Sequence, residues 1–340
     1  MRILALDWGQ VRVGAAVSDP DGRIAFPLDK FIENESASDE IKKIIIDLKV
    51  EKIVIGLPKT LAGEPGASAE KVKAFVDNIQ GQVSCKFEFL DERFTSVEAA
   101  MLRAGEMLLD GADILEIGGE STGPTSQEVS LDEELSRVIP VVRGIKEAFP
   151  DAKISVDTWK ALVAIEALKE NVMMINDVTA GRGSDGEMFD VLKDSSAQLV
   201  LMYAKDSSAR TTIQDEHYND VVLTVREFLS ARKGAAIAAG IDPAKIILDP
   251  GLGHFLSSDA KYSFQVLARL KEFLSLDSPL FVSPSRKSFL AGPEKLPTAE
   301  RLPGTIAASV VALQNGATYI RTHDVLEVRR ACEIAELFRI

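Results

Sequence analysis

The chain has little cysteine, histidine, tryptophan or net positive charge, and each shortage narrows what it can be. Its 340 residues include two cysteines, Cys85 and Cys332. So few, so far apart, they give no disulfide framework and no metal-ligand spacing, which removes the stapled secreted scaffold and the zinc module from consideration. A reducing cytoplasm is the expected setting. Long apolar runs are missing too: none approaches the ~20 residues of a membrane span. The opening Met1-Arg-Ile-Leu-Ala-Leu-Asp-Trp-Gly9 reads as a strand, without the shape of a signal peptide. The formal charge is -13, whereas proteins that hold nucleic acid through its phosphates present a basic face. The first hundred residues alone carry 13 Lys and Arg against 17 Asp and Glu, so composition argues against a nucleic-acid partner.

What is present is ordinary for a globular protein: 46% hydrophobic and 27% charged residues. The length admits two domains, or one domain and a large barrel. Ile3 to Leu6, Val13 to Val17 and Ile24 to Leu28 read as three strands with short links, with Asp21-Gly22 as a turn. Ile41, Ile44, Ile45 and Leu48 recur at helical spacing, with Ser38 able to cap that helix. A strand from Ile53 to Leu57, a helix from Ala69 to Ile79 and a strand from Lys86 to Leu90 follow. Three strands, helix, strand, helix, strand is the order of an RNase H-like α/β fold.

From Val97 the rhythm becomes strict alternation of helix and strand. Expected strands are 113–117, 153–156, 173–178, 198–202, 245–248, 280–283 and 319–323, with expected helices at 97–109, 132–148, 160–169, 187–193, 217–239, 260–274, 304–314 and 325–338. Seven β/α units predict a (β/α)₈ TIM-type barrel that is one strand short. The candidate for the eighth is Lys86 to Leu90, already needed by the first sheet, so the barrel is expected to lack a regular first strand. The reading divides the chain at 1–96 and 97–340.

Polar residues gather just after the barrel strands, where active sites of such barrels lie. Asp157, Asn176 and Asp249 suit a flat, nitrogen-rich heterocycle. Lys287 can reach a ring carbonyl, and Arg321 with His323 makes a cationic pair for a phosphate or pyrophosphate. One such residue would be a turn or a cap; six strand ends carrying acids, amides and cations point to a site. His217 and His254 read as surface or satisfied residues, and Met173 and Met174 as core.

These stretches, in order, resemble dihydropteroate synthase: Gly111-Ala-Asp-Ile-Leu-Glu-Ile-Gly-Gly-Glu-Ser-Thr122, Ser155-Val-Asp-Thr158, Ile175-Asn-Asp-Val178, Ile247-Leu-Asp-Pro-Gly251, Ser285-Arg-Lys-Ser-Phe289 and Arg321-Thr-His-Asp-Val325. The resemblance implies a transferase of folate synthesis. It would join 6-hydroxymethyl-7,8-dihydropterin pyrophosphate to 4-aminobenzoate and release pyrophosphate, with Mg²⁺ as cofactor. Asp157, Asn176, Met202, Asp249 and Lys287 would hold the pterin, Arg321 and His323 the pyrophosphate, and Thr122 and Ser288 the aminobenzoate. Asp157, Lys287, Arg321 and His323 would be the catalytic set. Barrels of this family commonly pair through their last helices, so a homodimer is expected. The sequence departs from the family at Gly123, where an Arg is usual, and at Phe89-Leu-Asp-Glu-Arg-Phe94, where the usual first-strand motif is absent. Asp91 and Glu92 are the expected metal ligands there.

Residues 1 to about 100 resemble the Holliday-junction-resolvase-like, pre-16S rRNA nuclease family through Leu6-Asp-Trp-Gly9 with Arg12-Val-Gly14, Ile55-Gly-Leu-Pro58, and Asp91-Glu-Arg-Phe-Thr-Ser-Val-Glu-Ala99. Asp7 and Glu92 match two acids of that family's metal site; a third has no counterpart. The chain thus reads as a fusion protein, with a metal-dependent nuclease or a non-catalytic pterin-binding protein as the alternatives to a synthase.

Overall fold

The structure, a computed structural model, describes residues 2–9, 12–21, 25–28, 32–33, 36–57, 67–83, 85–91, 95–183 and 187–338. It divides into two compact units, Met1–Ala99 and Ala100–Ile340.

The first unit is a sheet with helices. Its elements are β1 (Ile3–Trp8), β2 (Arg12–Ser18), β3 (Ala25–Pro27), β4 (Ile32–Glu33), α1 (Ala37–Leu48), β5 (Lys52–Leu57), α2 (Ala67–Gln80) and β6 (Lys86–Asp91), after which α3 (Thr95–Leu109) begins. The strand order is β3-β2-β1-β5-β6, with β4 added on β2. Strands β1 and β2 are antiparallel, whereas β5 runs parallel to both β1 and β6. Period-2 alternation puts Leu4, Leu6, Ile53 and Ile55 on one buried face, covered by Ile41 and Ile45 of α1 and by Val72, Val76 and Ile79 of α2. Strand β4 goes beyond the expected elements; it forms because Ile32 is buried and pairs with Val13. The helix cap also differs from expectation. Ser36 occupies the N-cap position and reaches Glu40 Oε1 at 2.9 Å, so Ser38 lies within the first turn. The contested strand β6 pairs with β5 along its whole length, from Lys52↔Lys86 to Leu57↔Asp91, and is the edge of that sheet.

The second unit alternates strands and helices. They are β7 (Leu115–Gly118), α4 (Leu131–Ala148), β8 (Ile154–Asp157), α5 (Ala161–Lys169), β9 (Met174–Asp177), α6 (Glu187–Leu192), β10 (Gln198–Met202), α7 (Val221–Ala238), β11 (Ile246–Asp249), α8 (Ala260–Ala268), β12 (Phe281–Val282), α9 (Leu302–Gln314), β13 (Tyr319–Ile320) and α10 (Val325–Glu336). Strands β7 to β11 form one parallel sheet in sequence order, and β12 pairs with β13 in parallel. A parallel bridge between Leu248 and Leu280 links the two sets. The lateral order is therefore β7 to β13 without inversion, and among the described residues no strand lies between β13 and β7.

Where boundaries differ from the sequence expectation, a side chain explains it. The helix expected at 217–239 starts at Val221 because the Asp220 carboxylate accepts from the amides of Val222 and Leu223. The helix expected at 260–274 breaks at Arg269 into a 3₁₀ segment, Leu270–Leu276, where the Arg269 guanidinium is held by Asp220 and Glu272. The strands expected at 280–283 and 319–323 shrink to two residues each, since β13 has a described partner on one side alone. No helix among the described residues is long and apolar enough to cross a membrane.

Candidate active site

The C-terminal ends of the strands surround a cavity of about 510 Å³. Its wall includes Thr122, Asp157, Asn176, Met202, Asp249, Lys287, Arg321 and His323. Asp157, Met202 and Asp249 are the last residues of β8, β10 and β11, Asn176 is the last but one of β9, and Thr122, Lys287, Arg321 and His323 lie in the segments that follow β7, β12 and β13. The turn after β11 shows how tightly this is built. Gly251 has φ +68°, and a Cβ there would lie 2.4 Å from the Tyr203 carbonyl oxygen, so that position excludes any side chain. The Gly251 amide donates to Asp249 Oδ1 at 2.7 Å, which fixes the carboxylate toward the cavity.

Burial dominates the electrostatics. The Asp157 carboxyl is pushed up to about 7, first by loss of solvent and then by the neighbouring Glu116 carboxylate, while Arg321 pulls the other way. Asp249 is raised to about 6 by burial, moderated by Lys287. Lys287 is lowered to about 8, again chiefly by burial, with Asp249 opposing. Its ammonium donates to the Leu252 carbonyl at 3.2 Å and lies 5.1 Å from the centre of the Phe255 ring. His323 is pushed down from its ordinary value by burial and by Arg321. Its Nδ1 lies 2.9 Å from Ser285 Oγ, which holds the ring.

One central residue went unforeseen. The Glu116 carboxylate accepts from Arg321 Nε, from Asn176 Nδ2 at 3.0 Å and from Ser155 Oγ at 3.3 Å. It thereby ties β7, β8, β9 and the end of β13 together beneath the cavity. The signal was available: an acid within Ile114-Leu-Glu-Ile117 interrupts an apolar strand. Asn176 spends its amide donor on Glu116, and its Oδ1 is buried with no partner.

The remaining expected residues are placed as follows. Met202 is 4% exposed and packs with Val178, Ala204 and Ala209 under one side of the cavity. The Thr122 carbonyl accepts from the Thr211 amide at 3.2 Å, which joins the loops after β7 and β10. Ser288 is exposed at the start of the short 3₁₀ segment Ser288–Ala291 and is not among the cavity-lining residues. Asp91 ends β6, but its side chain is outside the described set, and Glu92 lies outside the described residues altogether. Asp7 is exposed on β1. Among the described residues, no three His, Cys, Asp or Glu converge as a metal site. Asp177, which follows Asn176 in the stretch Ile175-Asn-Asp-Val178, is a buried structural acid: it accepts from the Thr179 amide and hydroxyl and from the Gly181 amide.

Behind the loops lies a second charged cluster. Lys160 reaches both Glu120 and Glu134, and Thr158 Oγ1 donates to Glu134 at 2.7 Å. Arg210, from the loop after β10, joins Glu120 and also donates to the Gln127 carbonyl at 3.2 Å.

Comparison with known proteins adds kinship to this geometry. The family described as Pterin binding enzyme matches residues 87–323. The family described as Holliday junction resolvase matches residues 1–109. The two matches overlap over 87–109, which is β6 and α3. The dihydropteroate synthase of Bacillus subtilis is 35% identical over 273 residues, covering 80% of this chain and 91% of that protein. The Escherichia coli K12 dihydropteroate synthase is 36% identical over 237 residues, covering 70% and 82%. Among solved structures, dihydropteroate synthase from Xanthomonas albilineans in complex with 7,8-dihydropteroate superposes with a TM-score of 0.64 at 34% identity, covering 72% of this chain and 89% of that one. The Yersinia pestis enzyme in a sulfonamide drug complex gives a TM-score of 0.67 at 34% identity, covering 72% and 86%. These likenesses give the second unit a TIM-barrel-like α/β fold.

Proposed function

We propose a reaction for this site from one premise: the chain belongs to the pterin-binding enzyme family, and its kinship makes it a dihydropteroate synthase of folate biosynthesis. The reaction joins 6-hydroxymethyl-7,8-dihydropterin pyrophosphate to 4-aminobenzoate. The aminobenzoate nitrogen supplies the new bond to the pterin methylene carbon, and the carbon–oxygen pair departs with pyrophosphate.

The observation that carries the residue assignment is the unfilled hydrogen-bonding capacity of a buried array. Asn176 Oδ1 is buried without a partner, beside two carboxyls, Asp157 and Asp249, whose pKa values burial raises. A pterin edge, rich in ring and amino N–H groups, supplies the donors that this array lacks. Lys287 offers an N–H to a ring carbonyl, and Met202 supplies apolar contact. Arg321 and His323 face the leaving pyrophosphate. The grip of Glu116 on Arg321 holds that guanidinium in place before substrate arrives, so charge that develops on the departing oxygen meets a preset cation. An ionised Asp157 near the methylene favours the positive charge that builds there as the leaving group departs. Thr122 borders the approach of the aminobenzoate. Positioning of the amine makes the remaining contribution.

Magnesium enters this proposal only as a counter-ion of the pyrophosphate oxygens. The described residues do not assemble an ion site, so no step runs through it. The uninverted lateral order of seven parallel strands supports reading the unit as a (β/α)₈-type barrel short of its first strand. Val311 of α9 and Ile334, Leu337 and Phe338 at the end of α10 are exposed, which supports a homodimer through these helices. The free thiols of Cys85 and Cys332 agree with a cytoplasmic setting.

Titration calorimetry with the pterin pyrophosphate tests the site. Binding should be lost in Asp157→Ala and in Asn176→Ala; undiminished binding in both would overturn the assignment.

A further inference from the structure

The walls of the cavity are held in two different ways. Asp157, Asn176 and Asp249 lie within the strand ladder, through the pairs Gly118↔Asp157, Asp157↔Asn176 and Met202↔Asp249. Thr122 and Phe255 line the same cavity, but they sit in the segments after β7 and β11, where no ladder fixes them. Their separation depends on another part of the chain.

That part is the segment 203–220, between β10 and α7, which contains neither helix nor strand. Loops of this length in a compact unit are usually either disordered or functional, and this one is ordered from within. Asp206 accepts from the Thr212 hydroxyl at 2.8 Å and from the Thr212 amide at 3.0 Å. The Lys205 ammonium bonds Asp206 Oδ2 at 2.5 Å and the Thr212 carbonyl at 2.9 Å. Both side chains are shielded, 4% exposed for Lys205 and 14% for Asp206. Burial raises the Asp206 carboxyl, but the bonds from Lys205 and Thr212 outweigh it and hold the group below its ordinary value.

This knot fixes Thr211, which is buried. The Thr211 amide donates to the Thr122 carbonyl at 3.2 Å, on one wall. Its hydroxyl reaches the His254 carbonyl at 2.8 Å and Asp206 Oδ2 at 2.9 Å, one proton between two acceptors. The Lys205 amide adds a bond to the Phe255 carbonyl at 2.9 Å, on the other wall. Lys205, Asp206 and Thr211 are not themselves among the cavity-lining residues.

We propose that Asp206 and Thr211 are positioning residues for the second substrate: their knot sets the spacing of Thr122 and Phe255, and with it the affinity for 4-aminobenzoate. The proposal rests on the synthase reading of the cavity. A flat ring between two walls is sensitive to their spacing, because a gap of about 1 Å forfeits a quarter to a half of each contact's attraction. The pterin array is spared, since the ladder holds it whether or not the knot is closed.

The test is steady-state pyrophosphate release by the full chain with both substrates varied. Calorimetry with the pterin pyrophosphate and hydrogen exchange at the amides of residues 205 and 211 accompany it. Thr211→Val removes the hydroxyl at nearly constant volume, Thr211→Ser keeps it, and Asp206→Ala removes the centre of the knot. Thr211→Val and Asp206→Ala should raise the KM for 4-aminobenzoate about tenfold or more, with kcat and the pterin pyrophosphate Kd changed less than about threefold. Thr211→Ser should keep the wild-type KM. The two amides should exchange faster in Thr211→Val and Asp206→Ala than in the wild-type chain and Thr211→Ser. A general loss of folding would do the reverse, removing active molecules and so lowering kcat at unchanged KM. If Asp206→Ala does not fold, the two Thr211 variants decide the matter. An unchanged 4-aminobenzoate KM in Thr211→Val overturns the proposal while leaving the synthase reading intact, and so does a KM for Thr211→Ser as high as that of Thr211→Val. A wild-type chain without 4-aminobenzoate-dependent release overturns both together.

Discussion

Glu116 is the residue on which the site's electrostatics turn. It holds Arg321 and Asn176, and it raises the Asp157 carboxyl. Glu116→Gln should therefore do two separable things. It should lower the Asp157 pKa from about 7 toward the ordinary carboxylate range, readable by carbon NMR of labelled aspartate. It should also release Arg321 and cut kcat/KM roughly 10- to 100-fold, the scale expected for a lost charge-assisted contact. Asp249 gives a stability test with a definite sign. Its folded pKa of about 6 lies above the ordinary value of 3.8, so its contribution is fully present below about 4 and is lost as pH rises through about 6. Relative to Asp249→Asn, the wild-type chain should lose at most about 3 kcal/mol across that window in urea titrations. The same variant should lower the Lys287 pKa below about 8, because the carboxylate that supports the ammonium is gone. At this scale the sequence was legible where a polar residue followed an apolar strand, as at Asp157, Asn176, Asp249 and Arg321. Glu116 was missed because it sits inside the strand and not after it, although an acid within Ile114-Leu-Glu-Ile117 marked it. Ser288 carried its motif but is exposed on a 3₁₀ turn whose direction no local pattern announces.

Among the elements, the βα loops are held from behind by buried charge. Lys160 is paired with Glu120 and Glu134, both almost fully buried. Lys160→Met would leave two carboxylates facing one another without their shared cation. It should destabilise the second unit by about 3–5 kcal/mol, as for other broken buried pairs, measured by thermal and urea unfolding. At Gly251, positive φ and the Tyr203 carbonyl act together, and Gly251→Ala should cost about 2–4 kcal/mol. Helices with a full apolar stripe, such as α4, were readable to within a residue. The two-residue strands β12 and β13 were not, because their length depends on whether a neighbour pairs with the second edge. The same dependence governs Lys86 to Asp91. Its alternation fits either sheet; the six-residue register with β5 is a long-range pairing that no local pattern encodes.

At the level of the whole molecule, a chain matched by two families carries its synthase chemistry in the second unit. The parts of that chemistry lie on strands β7 to β13, and the first-strand segment of the family pattern pairs elsewhere. Those strands still bring Asp157, Asn176, Asp249, Lys287, Arg321 and His323 to one cavity. The N-terminal unit shows Asp7 exposed on β1, with Glu92 outside the described residues. The acidic balance of the chain fits small-molecule substrates better than a polyanion. The exposed apolar residues on α9 and α10 predict a dimer by sedimentation velocity, shifted to monomer by Phe338→Asp. The most direct measurement is pyrophosphate release by the full chain, given the pterin pyrophosphate with Mg²⁺, in the presence and absence of 4-aminobenzoate. The account predicts enzymatic release that depends on 4-aminobenzoate and is abolished by Asp157→Ala. Release no faster than the uncatalysed rate would contradict it.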